Sequence, residues 1–203
     1  MNGFYKIFLI FLYEFINNFK NFEGRANRTQ YWYSYLANFL IQIAFSILGL
    51  ILGALSAIPV LGLIFTLVIY ILGIVQFAYS IFLIVPGIAI NVRRLHDLNR
   101  SGLWYLWYAL AMVLIGFVFI IVMVYAIASY YSNYVQANSV VLILICLFLG
   151  LVLAAITVAY LVFMCFKGTV GANKFGDEAV VQYYDYQKAL DKIKSLFKKK
   201  QEN

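Results

Sequence analysis

Three short blocks hold the side chains best suited to bind a charged ligand. They are Gly24-Arg-Ala-Asn-Arg-Thr-Gln-Tyr-Trp32, Arg93-Arg-Leu-His-Asp-Leu-Asn-Arg-Ser-Gly-Leu-Trp104 and Lys167-Gly-Thr-Val-Gly-Ala-Asn-Lys-Phe-Gly176. Within them, Arg25, Arg28, Arg93, Arg94, His96, Asp97, Arg100, Asn173 and Lys174 form the candidate site. Seven of these nine are cationic or become so on protonation, against one carboxylate. Guanidinium forks match phosphate and carboxylate oxygens two bonds at a time. Such a surplus beside a membrane favours anionic lipid headgroups or a phosphorylated ligand. The competing reading is structural: Asp97 pairs with Arg93, Arg28 or Arg100 and staples its loop to the N-terminal segment.

Other chemistries fit these residues less well. His96 is the single histidine and is adjacent to Asp97. Neighbours on a helix do not face each other, so no acid–base dyad is implied. Gly168 to Phe175 superficially matches a phosphate-binding P-loop. However, Asn173 stands for the second glycine, Phe175 for the metal-binding hydroxyl residue, and an apolar helix precedes it instead of a strand. A tight turn built by Gly168, Gly171 and Gly176, with Asn173 in the left-handed region, is the expected structure. It leaves backbone N–H groups near Lys174 for weak anion binding. Cys146 and Cys165 fall on one expected helix, about 28 Å apart at 1.5 Å per residue, too far for a disulfide. With no CxxC or His/Cys cluster, neither a metal nor a cofactor is expected.

The elements that must position these blocks follow from where the charges are absent. Charged residues occur only at 6–28, 93–100 and 167–203, and Thr29–Val92 and Ser101–Phe166 contain none. At roughly 20 residues per crossing of a ~30 Å hydrocarbon core, each interval can cross, turn and cross back. Hydrophobic residues make up 65% and charged ones 11%, which excludes a water-soluble domain of ordinary composition. The fold class is therefore an all-α integral membrane protein with four transmembrane helices, at about 33–57, 60–90, 103–128 and 140–166. Pro59 suits the start of span two, which is long and should tilt or break near Pro86-Gly87. Phe8–Tyr13 is a short apolar run without a small-residue cleavage site, so no secretory signal is expected. The organisation is then a cytoplasmic interfacial helix in 1–28, a four-span domain in 29–176 and a basic cytoplasmic tail in 177–203. In the tail, Ala179, Tyr183, Tyr186, Leu190, Ile193 and Phe197 form the apolar stripe of an amphipathic helix.

Four crossings return the chain to one side each time. The three charged segments hold all 15 Lys and Arg, whereas the two opposite turns hold none. The positive-inside rule then places both termini and the 93–100 loop in the cytoplasm, so that all three blocks can converge there. Gly49, Gly53 and Ala57 on span one, and Gly150 and Ala154 on span four, form small-residue ridges. These suit close helix contacts within the chain or, through Gly49/Gly53, a homo-oligomer. Asn38, Gln42 and Gln76 suit hydrogen bonds between spans or, less simply, a polar path. No Asp, Glu, Lys or Arg lies inside a span, which counts against an ion-coupled transporter.

GRANRTQYW, RRLHDLNRSGLW and KGTVGANKFG, in this order around four spans, resemble the YhaH-like bacterial inner-membrane proteins, a domain-of-unknown-function family. The resemblance covers about Phe22–Gly176. It departs from the family pattern at Ala172, where proline is usual, and at Leu103, where an aromatic is usual. It implies a small multi-spanning inner-membrane protein without an assigned activity. The residues themselves point to a non-enzymatic protein that binds anionic lipid headgroups or a partner, not nucleic acid, since topology already accounts for the net charge of +7. A small oligomeric transporter or channel, and an interfacial enzyme acting on a lipid, are the alternatives.

Overall fold

The computed structural model describes residues 3–59, 61–131, 136–179 and 191. Its elements are α1 (Gly3–Leu12), a π-helical turn (Tyr13–Asn17), α2 (Arg28–Leu55), α3 (Gly62–Asp97), α4 (Leu103–Tyr131) and α5 (Gln136–Cys165). Helices over Arg28–Leu55, Gly62–Asp97, Leu103–Ala128 and Val141–Cys165 are long and apolar enough to cross a membrane, giving the four expected spans. The expected amphipathic tail helix lies outside the described residues, as do 132–135 of the turn between spans three and four.

The chain divides into two compact units, residues 1–99 with 168–203, and residues 100–167. In the first unit, α2 starts with a reciprocal capping box. The Asn27 side chain accepts from the Gln30 N–H at 2.9 Å, and the Gln30 side chain accepts from the Asn27 N–H at 2.9 Å. This fixes the approach of Arg25 to the first span.

Helix α3 corrects the expected break. It runs unbroken through Pro86 for 36 residues, about 54 Å at 1.5 Å per residue. Pro86 is buried, and Asn91 just beyond it donates to the Gly87 carbonyl (2.8 Å) and to Tyr35 (2.7 Å). The helix exceeds a ~30 Å core, so its last turns carry Arg93, Arg94, His96 and Asp97 past the hydrocarbon. It ends at Asn99, whose φ of 57° is the left-handed stop typical of helix C-termini.

A polar ladder joins α2 to α3. Tyr31 donates to Asn91 (3.2 Å), Tyr79 to Asn38 (3.1 Å) and Gln76 to Gln42 (3.1 Å). The simpler expectation for Asn38, Gln42 and Gln76, hydrogen bonding between spans, therefore describes them. The Gly49/Gly53 ridge is not this seam. A Cβ built at Gly49, Gly53 or Gly150 meets no described atom within 4 Å, so among the described residues no backbone packs closely on these glycines. The reason is that α2 turns its polar stripe, not its small-residue stripe, toward α3.

Helix α1 and the π turn pack on this pair. Leu9 and Ile10 sit with Tyr13 and Tyr33. Phe11, Phe15 and Ala37 form a second cluster with Ile7, Leu12, Ile41 and Leu83 around it. Phe19 stacks near Phe82, centroids 5.0 Å apart.

The second unit is a helical hairpin of α4 and α5, joined by rings. Tyr108 and Tyr160 stack at 4.0 Å and 12°, Tyr105 and Tyr160 are 6.3 Å apart, and Trp104 and Phe163 are 6.3 Å apart. Both cysteines lie on α5 and are free.

Candidate functional site

The first unit gathers parts of all three sequence blocks at the end of α3. Its centre is Asp97, the last residue of that helix and 4% exposed. Arg25 reaches Asp97 Oδ1 with two donors, Nε at 3.1 Å and Nη2 at 2.9 Å, while Arg94 Nη1 donates to Oδ2. The expected partners of Asp97 are thus corrected. Arg93 points elsewhere, to Glu14 Oε2 at 2.6 Å. Residues 93 and 94 are consecutive on a helix, so their side chains diverge by about 100° and serve different carboxylates.

Glu14 lies in the π turn and is 1% exposed. Besides Arg93, it accepts from Asn18 (3.1 Å) and from Gln30 (3.3 Å). Among the described residues the buried charges are then Arg25, Arg93 and Arg94 against Glu14 and Asp97, one cation in excess. An unpaired buried charge is costly unless polar groups surround it. The segment after α5 supplies them, because the carbonyls of Gly171 (2.6 Å), Gly176 (3.5 Å) and Thr169 all accept from Arg25.

The same segment caps α3, whose last carbonyls have no partner within the helix. The Thr169 N–H donates to the Asp97 carbonyl at 2.9 Å and its hydroxyl to the same oxygen at 3.1 Å. Asn173 Nδ2 donates to the His96 carbonyl at 2.9 Å. On the other side, the Ala26 N–H donates to the Arg93 carbonyl at 3.0 Å. Residues 25–26 and 168–176 thus grip the end of α3 from two directions.

Two details of this turn differ from expectation. Gly171 and Gly176 have φ of 75° and 124°, which favour glycine, but Asn173 does not adopt the left-handed region. It closes an Asx turn, its side chain accepting from the Phe175 N–H at 2.8 Å, and bridges to Gly176 with two backbone bonds. Gly168 is needed for space, since a Cβ there would lie 2.0 Å from Asp97 Oδ2. The expected opening for an anion near Lys174 holds a carboxylate of the chain itself: the Gly171 N–H donates to Glu178 at 2.9 Å.

His96 stacks on Phe175, centroids 3.9 Å apart at 4°, and its Nδ1 is 3.0 Å from the Gly24 carbonyl oxygen. Lys174 Nζ sits 4.9 Å from the Phe175 ring centre and is exposed, as is Arg28. Arg100 belongs to the second unit, with its guanidinium 5.2 Å from the Trp104 ring centre. Of the nine candidates, Arg25, Arg94, Asp97, His96 and Asn173 are brought together directly, whereas the Arg93 side chain pairs with Glu14 and its carbonyl meets the segment that carries Arg25. Among the described residues, no group of His, Cys, Asp and Glu is placed to hold a metal.

Glu14, Gln30, Gly168, Thr169 and Phe175 complete the arrangement and are not among the nine. Asn27-x-x-Gln30 is a readable capping signal, and Glu14 is a lone acid in an apolar segment. Nothing in the sequence pairs Glu14 with a residue 79 positions away.

Comparison with known proteins agrees with this architecture. No solved structure matches the chain. The inner membrane protein YhaI of Escherichia coli K12 is 32% identical over 89 residues, 44% of this chain and 62% of that protein. The chain thus spans less than two thirds of YhaI. The inner membrane protein YhaH of the same strain is 32% identical over 107 residues, 53% of this chain and 77% of that protein. The family described as "Protein of unknown function (DUF805)" matches residues 19–177, which take in α2 to α5 and all three blocks. On that extent of match the chain belongs to the DUF805 family.

Proposed function

We propose that this chain is a non-enzymatic protein of a bacterial inner membrane, with both termini cytoplasmic, that holds anionic lipid headgroups at the basic end of its first unit. One observation carries the reading. Asp97 and Glu14 are fully engaged by Arg25, Arg94 and Arg93, while Arg28 and Lys174 keep exposed side chains at the same end. The buried arginines build the platform, and the exposed cations meet the headgroups. The names of YhaI and YhaH support the inner membrane, and the confinement of all 15 Lys and Arg to three segments supports the orientation.

The alternatives have less behind them. Asp97 faces two guanidiniums and His96 faces Phe175 and a carbonyl, so the two are not arranged as an acid–base pair. Gln42 and Gln76 bond to each other, and Asn38 to Tyr79, which supports a seam more than a polar path.

Native mass spectrometry from mild detergent tests the proposal. Arg28→Gln with Lys174→Gln should lose co-purifying anionic phospholipid while retaining zwitterionic lipid, because both side chains are exposed and the fold is unaffected. Unchanged retention of anionic lipid would sink the reading.

A further inference from the structure

We infer that α1 and the π turn form a half-inserted helix whose outward face contacts the acyl chains of the leaflet on the basic side. This does not depend on headgroup binding by Arg28 and Lys174. The first argument is depth. Tyr31 and Tyr35 of α2 both bond to Asn91 of α3, which puts these residues at one level. Ile41 lies eight positions beyond Tyr33 on α2, and Leu83 eight positions before Asn91 on α3. At 1.5 Å per residue both are about 12 Å farther along the spans. They pack against the cluster that Phe11 and Phe15 form with Ala37, and Phe82 packs on Phe19. Helices that lie on a membrane sink only about 5–10 Å into the headgroup/acyl boundary. The inner face of this segment therefore meets its neighbours deeper than that.

The second argument is chemistry. The face of this segment turned away from α2 and α3 is also apolar: Tyr5, Phe8 and Ile16 are 41%, 37% and 47% exposed. Its one acid, Glu14, is held away from lipid by Arg93, Gln30 and Asn18. A helix lying on the surface would present a charged face to water. Besides Glu14, the segment carries one charge, Lys6, so it has no row of charged residues to turn toward water. The span it packs on also exposes apolar side chains, including Leu36, Phe39 and Ile43. An apolar face on a segment packed at that depth selects acyl chains as the occupant.

Single cysteines test this in full-length protein carrying Cys146→Ala and Cys165→Ala, reconstituted in phosphatidylcholine/phosphatidylglycerol vesicles. Phe8→Cys and Ile16→Cys should react with a membrane-impermeant maleimide roughly ten times more slowly than Glu23→Cys, since water is excluded at that depth. A bimane at either position should be quenched by nitroxide on the upper acyl chain more than by nitroxide on the headgroup. Reaction as fast as at Glu23→Cys, or stronger quenching from the headgroup, would place the helix on the surface and overturn the inference. Slow reaction without lipid quenching would put protein over this face, and overturns it equally.

Discussion

The two units solve the same problem with opposite chemistry. Unit one holds its helices with a polar ladder along α2 and α3 and a buried ionic cluster at their end. In unit two, the described ring contacts between α4 and α5 are stacked and tilted pairs. Lipid is as apolar as leucine, so rings and aliphatic chains join helices mainly through packing, and a lost side chain is partly replaced by lipid. Lipid cannot replace a carboxylate between two arginines. The first unit should therefore be brittle at a few positions and the second tolerant everywhere.

Removing the central carboxylate attacks that contrast hardest. Asp97→Ala leaves Arg25 and Arg94 without their shared partner, and should destabilise the protein by about 3–5 kcal/mol. A large fall in the thermal midpoint, followed by circular dichroism in one detergent, is the expected outcome. Gly168→Ala should follow at about 1–3 kcal/mol, because its methyl must displace a carboxylate held on both sides. The same melts should show Gly49→Ala nearly neutral, since space is open there. In unit two, Tyr160→Ala removes the stack on Tyr108 and should cost about 0.5–1.5 kcal/mol beyond the area lost. Apart from the neutral Gly49→Ala, the smallest effect should come from Gln76→Leu. Hydrogen bonds between membrane helices average about 0.6 kcal/mol, and its partner Gln42 is only part-buried. If Tyr160→Ala proved more damaging than Asp97→Ala, the contrast between the units would be wrong.

The sequence reveals the spans well and their ends poorly, for a physical reason. Absence of charge marks the stretch that hydrocarbon tolerates, which is why Thr29–Val92 and Ser101–Phe166 delimit four helices. Charge does not end a helix. Residues 93–97 read as loop because they are charged, yet they continue α3 until Asn99 turns left-handed. Membership of Arg25, Arg94, His96, Asp97 and Asn173 in one cluster was legible from sidedness, because three basic blocks beside span ends have few places to go. Their partners were not. Whether Arg93 or Arg94 meets Asp97 is set by helical phase, and Glu14 reaches Arg93 only because α1 folds back along α2. The need for glycine at 168 shows only once Asp97 is beside it.

A double-mutant cycle on Arg25 and Asp97 tests most directly whether the basic cluster is engaged inside the fold. Arg25→Met, Asp97→Asn and the pair would be melted under identical conditions. The account predicts strong non-additivity, with a coupling of about 1–3 kcal/mol, because each residue buries the other's charge. Single losses that add to within about 0.5 kcal/mol would mean that these groups do not meet, and would contradict the account.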